Sequence, residues 1–74
     1  MKKTNEIIRD IREDNDYTQD DIAKILGTTQ QTYSRYEMGL REIPQRHIIA
    51  LCKFYNVTAD YLLGLTNNKR PIDQ

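Results

Sequence analysis

The sequence predicts an all-α fold, a compact bundle of five helices. Three observations carry that expectation. Apolar residues recur at helical spacing in five successive segments. The segments are set apart by residues that cap or stop helices: Asn15-Asp16, Gly27-Thr28, Gly39 and Gly64. At 74 residues the chain is near the lower limit for an unaided core, where a helical bundle is an economical solution.

The first helix is expected to be capped by Thr4 or Asn5 and to run to about Asp14, with Ile7, Ile8 and Ile11 inward and Asn15-Asp16 ending it. Tyr17 is placed as a lid over the start of the second helix. Thr18 and Asp21 there form a T-x-x-D capping box, and Asp20 and Asp21 sit where the helix dipole favours anions. Ile22, Ala23, Ile25 and Leu26 make its apolar stripe, and Gly27 stops it where a positive φ is least costly. Thr28 is expected to cap the third helix, with Gln31 as its box partner. So short a connection makes the two helices cross steeply, with the small Ala23 at the crossing. This is the helix-turn-helix pattern.

Gly39 to Ile43 form the following loop, and Pro44 opens a fourth helix at its first turn. Ile48, Ile49, Leu51, Cys52 and Tyr55 supply that helix's apolar face. Thr58 caps a short fifth helix that Gly64 ends. Residues 1–65 form the expected domain, and residues 66–74 read as a flexible tail.

The third helix carries the chemistry. At 100° per residue, Thr29, Thr32, Tyr33 and Tyr36 share one arc, and Gln30, Gln31, Ser34, Arg35 and Met38 share the opposite one. The first arc can bury aromatic area. The second places two amides, a hydroxyl and a guanidinium near a helix N-terminus. Gln can bond adenine N6 and N7 bidentately, and Arg can bond guanine O6 and N7. Gln30, Gln31, Ser34 and Arg35 are therefore the candidate base readers.

As a whole the chain resembles the lambdoid phage repressor and Cro family, the XRE-type helix-turn-helix. The resemblance rests on Arg12, Gln19, Ala23, Gly27, Thr29-Gln30-Gln31, Ser34-Arg35-Tyr36-Glu37 and Gly39. Downstream it rests on Pro44, Tyr55-Asn56-Val57-Thr58 and Asp60-Tyr61-Leu62-Leu63-Gly64. It covers about residues 4 to 65. The resemblance implies a sequence-specific DNA-binding regulator, a repressor, of a bacterium, phage or other mobile element, located in the cytoplasm. It implies double-stranded DNA as partner, with a near-palindromic operator bound by a dimer. Gln19 and Thr29 become candidate phosphate contacts at helix N-termini, and Arg41 a third from the loop. The resemblance also implies a partly buried ion pair, Arg12 with Glu37, that holds the third helix against the first.

Four large apolar residues within five positions, Tyr61, Leu62, Leu63 and Leu65, exceed what so short a helix can bury. They are candidate contacts of a weak homodimer. The alternative function is a protein-interaction module such as an antitoxin or anti-repressor, using the acidic N-terminal third.

Charge and composition bound these readings. The chain is formally neutral. Residues 1–21 hold four basic and seven acidic groups, whereas residues 22–74 hold seven basic and four acidic. The positive part contains the reading helix, so DNA affinity is expected to be modest and salt-sensitive. One cysteine excludes an intramolecular disulfide and suits a reducing compartment. No apolar run approaches the ~18 residues of a membrane span. His47 has no second metal ligand at suitable spacing, and no nucleophile–base set, paired carboxylates or phosphate loop stands out. No enzyme activity, metal, cofactor or small-molecule ligand is expected.

The sequence departs from the family at three places. Position 33 more often holds Ile or Val, so the longer Tyr33 must bring its hydroxyl to the rim or to a polar partner. Glu42 follows Arg41, and Asp20 follows Gln19, each weakening the expected grip on phosphates.

Overall fold

The computed structural model describes residues 2–70. Its helices are α1 (Thr4–Asp14), α2 (Gln19–Leu26), α3 (Gln30–Glu37), α4 (Gln45–Tyr55) and α5 (Ala59–Leu62). Their buried faces meet in one core. α1 contributes Ile7, Ile8 and Ile11, α2 contributes Ile22, Ala23 and Leu26, and α3 contributes Tyr33 and Tyr36. Ile48, Leu51, Val57 and Leu62 complete it from the α4–α5 half. No helix among the described residues is long and apolar enough to cross a membrane.

The helix ends follow local chemistry. At α2, the Thr18 hydroxyl accepts from the Asp21 N–H at 3.1 Å and the Asp21 carboxylate accepts from the Thr18 N–H at 2.9 Å. Each satisfies a backbone donor that the helix start leaves free. Gly27 closes α2 at φ +69°, and the Thr28 N–H returns to the Ala23 carbonyl at 2.9 Å. That left-handed residue turns the chain sharply enough for α3 to start three residues later against α2. Thr58 caps α5 through the Tyr61 N–H, as its position before the short helix implies.

Other ends differ from the sequence expectation. Thr29, not Thr28, caps α3: its hydroxyl oxygen accepts from the Thr32 N–H at 3.1 Å. Thr28 is instead committed to the turn that ends α2, which leaves Gln31 free of any box. α1 is entered through Lys3 rather than Thr4 or Asn5, and the Glu6 carboxylate accepts from the Lys3 N–H. Pro44 stands just before α4 rather than inside its first turn.

The apolar stripes are also narrower than periodicity suggests. Ile25 and Ile49 lie at the edges of their helices' buried faces and remain 42% and 45% exposed. His47 and Val57, not assigned to the core from sequence, are buried; His47 packs against the Tyr36 ring at 5.9 Å. Burial, with Arg46 nearby, pushes the His47 imidazole below its ordinary pKa. Tyr17 leans on Phe54 at the end of α4, with ring centroids 5.2 Å apart. Among the four residues offered as dimer contacts, Leu62 is wholly inside its own core and has no surface to offer a second copy.

Within the expected tail, the Lys69 carbonyl accepts from the Thr58 N–H at 2.8 Å, which returns the chain to the start of α5. Residues 71–74 of that tail lie outside the described residues.

Gly64 ties α5 to the beginning of α1. It lies at φ +79°, and an added Cβ would stand 2.6 Å from the Lys2 carbonyl oxygen. Gly27 has a similar φ but open space around it. Gly64→Ala should therefore cost roughly 2 kcal/mol or more, and Gly27→Ala about 1 kcal/mol, since both suffer left-handed strain and only the first a backbone clash. Urea unfolding of the two variants checks the order; equal losses would refute the close approach.

Candidate nucleic-acid interface

α3 is held by its inner face and displays its outer one. On the inner face Tyr33 and Tyr36 are buried, their rings edge-on with centroids 6.2 Å apart. On the outer face Gln30, Gln31 and Arg35 are exposed and Ser34 is half-buried. The four line one shallow groove, together with Gln19 from the start of α2 and Met38 from the end of α3. The helix wheel therefore separates the two arcs correctly, because α3 is regular over its length and packs on one side only. Met38, on the same arc but not assigned a role from sequence, is 57% exposed at the far end of this groove.

α3 is anchored by a carboxylate. Glu37 ends the helix with a side chain only 2% exposed. The Arg12 guanidinium of α1 grips it with two bonds, Nε to Oε2 at 2.7 Å and Nη2 to Oε1 at 3.1 Å. This is the fork geometry that suits guanidinium to carboxylate. Arg12 also donates through Nη1 to the Tyr17 carbonyl at 2.8 Å, which fixes the turn between α1 and α2. The Gln19 amide donates Nε2–H to Glu37 Oε1 at 3.1 Å. Asn5 adds a bond from its Nδ2 to the Glu37 carbonyl at 3.3 Å. One residue at the end of α3 is thus bound from α1 and from α2.

Burial by itself would raise the Glu37 carboxyl pKa. Hydrogen bonding from Arg12 and the Gln19 amide outweighs burial and holds the carboxyl below its ordinary range. The Arg12 guanidinium is correspondingly held above its usual value, chiefly by the bond to Glu37.

The candidate phosphate contacts divide. The Gln19 amide keeps a second N–H after its bond to Glu37. The Thr29 hydroxyl is already engaged, accepting from the Thr32 N–H and donating to Thr32 Oγ1 at 2.9 Å. What the α3 N-terminus offers is therefore backbone N–H groups of its first turn, which the helix leaves unpaired. Arg41 is exposed but lies apart from the reading groove. It borders a cleft with Tyr36, Ile43, Ile48 and Leu63. A third hollow, sharing Gln19 and Met38 with the candidate reading groove, carries Lys3 just before α1, and Glu6 and Arg9 of α1. Dividing the sequence at residue 21 assigned these two cations to the acidic part; the fold sets them beside the reading face.

Two packed helices joined by a tight turn at Gly27, the second exposing amides and a guanidinium, define a helix-turn-helix protein. The chain belongs to the helix-turn-helix family HTH_3, which matches residues 8–62. It is 30% identical over 64 residues to the uncharacterized HTH-type transcriptional regulator YobD of Bacillus subtilis (strain 168). That match takes in 86% of this chain and 57% of YobD. It is 29% identical over 66 residues to the antitoxin PezA of Streptococcus pneumoniae serotype 4 (strain ATCC BAA-334 / TIGR4), across 89% of this chain and 42% of PezA. The chain thus spans a little over half the length of YobD and less than half of PezA. Among solved structures it is similar to the P22 c2 repressor in complex with synthetic operator 9T, with a TM-score of 0.80 and 26% identity. That match covers 89% of this chain and all of the other.

Removing one partner of a buried ion pair leaves the other unpaired. Glu37→Ala and Arg12→Ala should each destabilise the fold by about 3–5 kcal/mol. A double-mutant cycle on unfolding free energies should give a clear coupling energy, and a value near zero would show that the pair contributes nothing. Because the folded-state Glu37 pKa is depressed, its contribution is complete above the ordinary carboxyl value of 4.5 and is lost as pH falls through the depressed value. Glu37→Gln should flatten that acid limb of stability against pH.

Proposed function

We propose that this chain is the DNA-binding domain, residues 1–65, of a transcriptional repressor, and that α3 reads the major groove of double-stranded DNA. The observation that carries the reading is the outer face of α3. Gln30, Gln31, Ser34 and Arg35 stand in one groove on a helix locked to the scaffold by a buried, doubly bonded carboxylate. The two amides and the guanidinium offer bidentate pairing to adenine and guanine. Locking removes the freedom that would blur such readout. Similarity to an operator-bound repressor and to HTH-type transcriptional regulators supports the same reading.

In this reading Gln19, through its spare N–H, and the backbone at Thr29 contact phosphates at the two helix starts. Arg41 contacts phosphate from the loop, and Lys3 and Arg9 from α1. A formally neutral chain with these few cations binds modestly, and its affinity falls as salt rises. A second reading, a protein-interaction module such as an antitoxin, is favoured by the acidic first 21 residues and by the similarity to PezA.

Selection of bound sequences from random DNA decides between them. The expected result is a defined motif, and failure to enrich one transfers support to the protein-partner reading. On the selected site, Gln30→Ala and Arg35→Ala should each weaken binding by about 1–3 kcal/mol and relax preference at one or two positions. An unchanged preference profile would remove α3 as the reader.

One reading helix covers too few bases to single out a site in a genome, so two copies on a near-palindromic operator are expected, with half-sites about 10 bp or a multiple apart. The surface for a weak homodimer is Tyr61, Leu63 and Leu65 at and after α5, of which Leu65 is 66% exposed. Sedimentation of the complex should give two protomers per site. One protomer on an asymmetric site would overturn the dimer and leave the DNA reading intact.

A further inference from the structure

The outer face of α3 ends in one large apolar side chain that no role described above uses. Met38 caps the C-terminal end of α3, with its own N–H bonded to the Ser34 carbonyl at 3.0 Å. Its side chain is more than half exposed and takes no part in the core. It lines the same groove as Gln30, Gln31, Ser34 and Arg35, and every other residue of that groove is polar. Single exposed apolar side chains are common on protein surfaces and need no explanation. The place of this one gives it more content.

Met38 borders two hollows at once. One is the groove of amides and guanidinium; the other holds Lys3, Glu6 and Arg9. The Glu6 carboxylate there is turned to the Lys3 N–H, which leaves the two cations as that hollow's outward groups. The first set suits hydrogen bonding to base edges, and the second suits phosphate. Met38 thus stands between groups fit for bases and groups fit for the backbone. On a duplex, the base feature between the hydrogen-bonding edge and the sugar-phosphate chain is the pyrimidine C5 position, which in thymine carries a methyl. That methyl is the one major-groove mark that donors and acceptors cannot read; it needs an apolar contact. The amides and the guanidinium mark adenine and guanine, and leave thymine without a reader on this face.

We propose that Met38 is a specificity-determining residue of α3, whose thioether side chain contacts the C5-methyl of a thymine in the major groove. An unbranched chain with a polarizable sulfur adapts readily to such a small apolar target. Met38 lies about two turns beyond Gln30, roughly 12 Å along the axis at ~1.5 Å per residue, whereas base pairs stack ~3.4 Å apart. Its thymine is therefore at a different position from the base that Gln30 reads. The proposal rests on the DNA-binding function proposed above and adds an apolar contact to the polar readout described there.

Deoxyuridine lacks only the methyl of thymidine, so it is substituted for each thymidine of the selected site in turn. With the unmodified protein, one such position should lose about fourfold in affinity, the order expected for one methyl withdrawn from an apolar contact. This scan needs no variant to fold. Met38→Ala should weaken binding to the thymine site by a similar factor and should no longer distinguish thymine from uracil at that position. Met38→Leu, apolar and of similar size, should restore the preference. A scan in which no thymine of the selected site is sensitive overturns the proposal, as does a sensitivity that survives Met38→Ala; either result leaves α3 reading through its polar groups. Equal weakening of selected and unrelated DNA by Met38→Ala also overturns it, because a contact with the backbone alone carries no base preference. If the unmodified protein selects no motif from random DNA, the DNA reading fails and the role of Met38 fails with it.

Discussion

The architecture depends on one buried carboxylate. Glu37 ends the helix that displays the candidate readers, and its side chain is bound by the Arg12 fork and the Gln19 amide. A charge taken out of water is tolerated only when paired and hydrogen-bonded, and this one is both. The arrangement works because its partners come from different helices. Arg12 alone links the end of α3 to α1 and, through the Tyr17 carbonyl, to the turn before α2. Hydrophobic packing would hold the same helices together with less regard to their angle. The directional bonds specify it.

The turn between α2 and α3 supplies the second constraint. Gly27 adopts a left-handed conformation, the small Ala23 is buried in the core, and Thr29 caps the new helix at once. α3 is short, and propensity alone does not sustain a helix of this length. Its two tyrosines, buried against the core, and Glu37, bound at its end, make it stable without using its outer face. That division of labour leaves Gln30, Gln31, Ser34 and Arg35 free of structural duty, so they can be exchanged without loss of the fold. The candidate readers and the anchor occupy opposite sides of one eight-residue helix.

Gln19 shows how residue type alone can mislead about role. An amide at a helix start suits a phosphate contact, yet here one of its two N–H groups is spent on Glu37. The same atom group ties the α2 start to the α3 end, so a phosphate held by the other N–H would be registered directly against the reading helix. Thr29 is the contrasting case. Its hydroxyl is consumed by its own helix and by Thr32, and only backbone remains for a ligand. Both outcomes turn on which partner lies within hydrogen-bonding distance: Glu37 from another helix for Gln19, and Thr32 of its own helix for Thr29.

By itself the sequence determined the five helices, the Thr18 and Thr58 caps, the Gly27 turn and the two arcs of α3. Each depends on residues within a few positions of one another, and helical periodicity and capping are local physics. The Arg12–Glu37 pairing came from resemblance, not from local chemistry. Only the tertiary structure decided that Ile25 and Ile49 stay at the surface while His47 and Leu62 go inside, because that depends on which helix packs against each face. Likewise, only the fold brought Lys3 and Arg9 beside Gln19 and Met38 of the candidate reading groove. Those neighbours are far apart along the chain, and their meeting is set by the helix crossing angles rather than by any pattern within one helix.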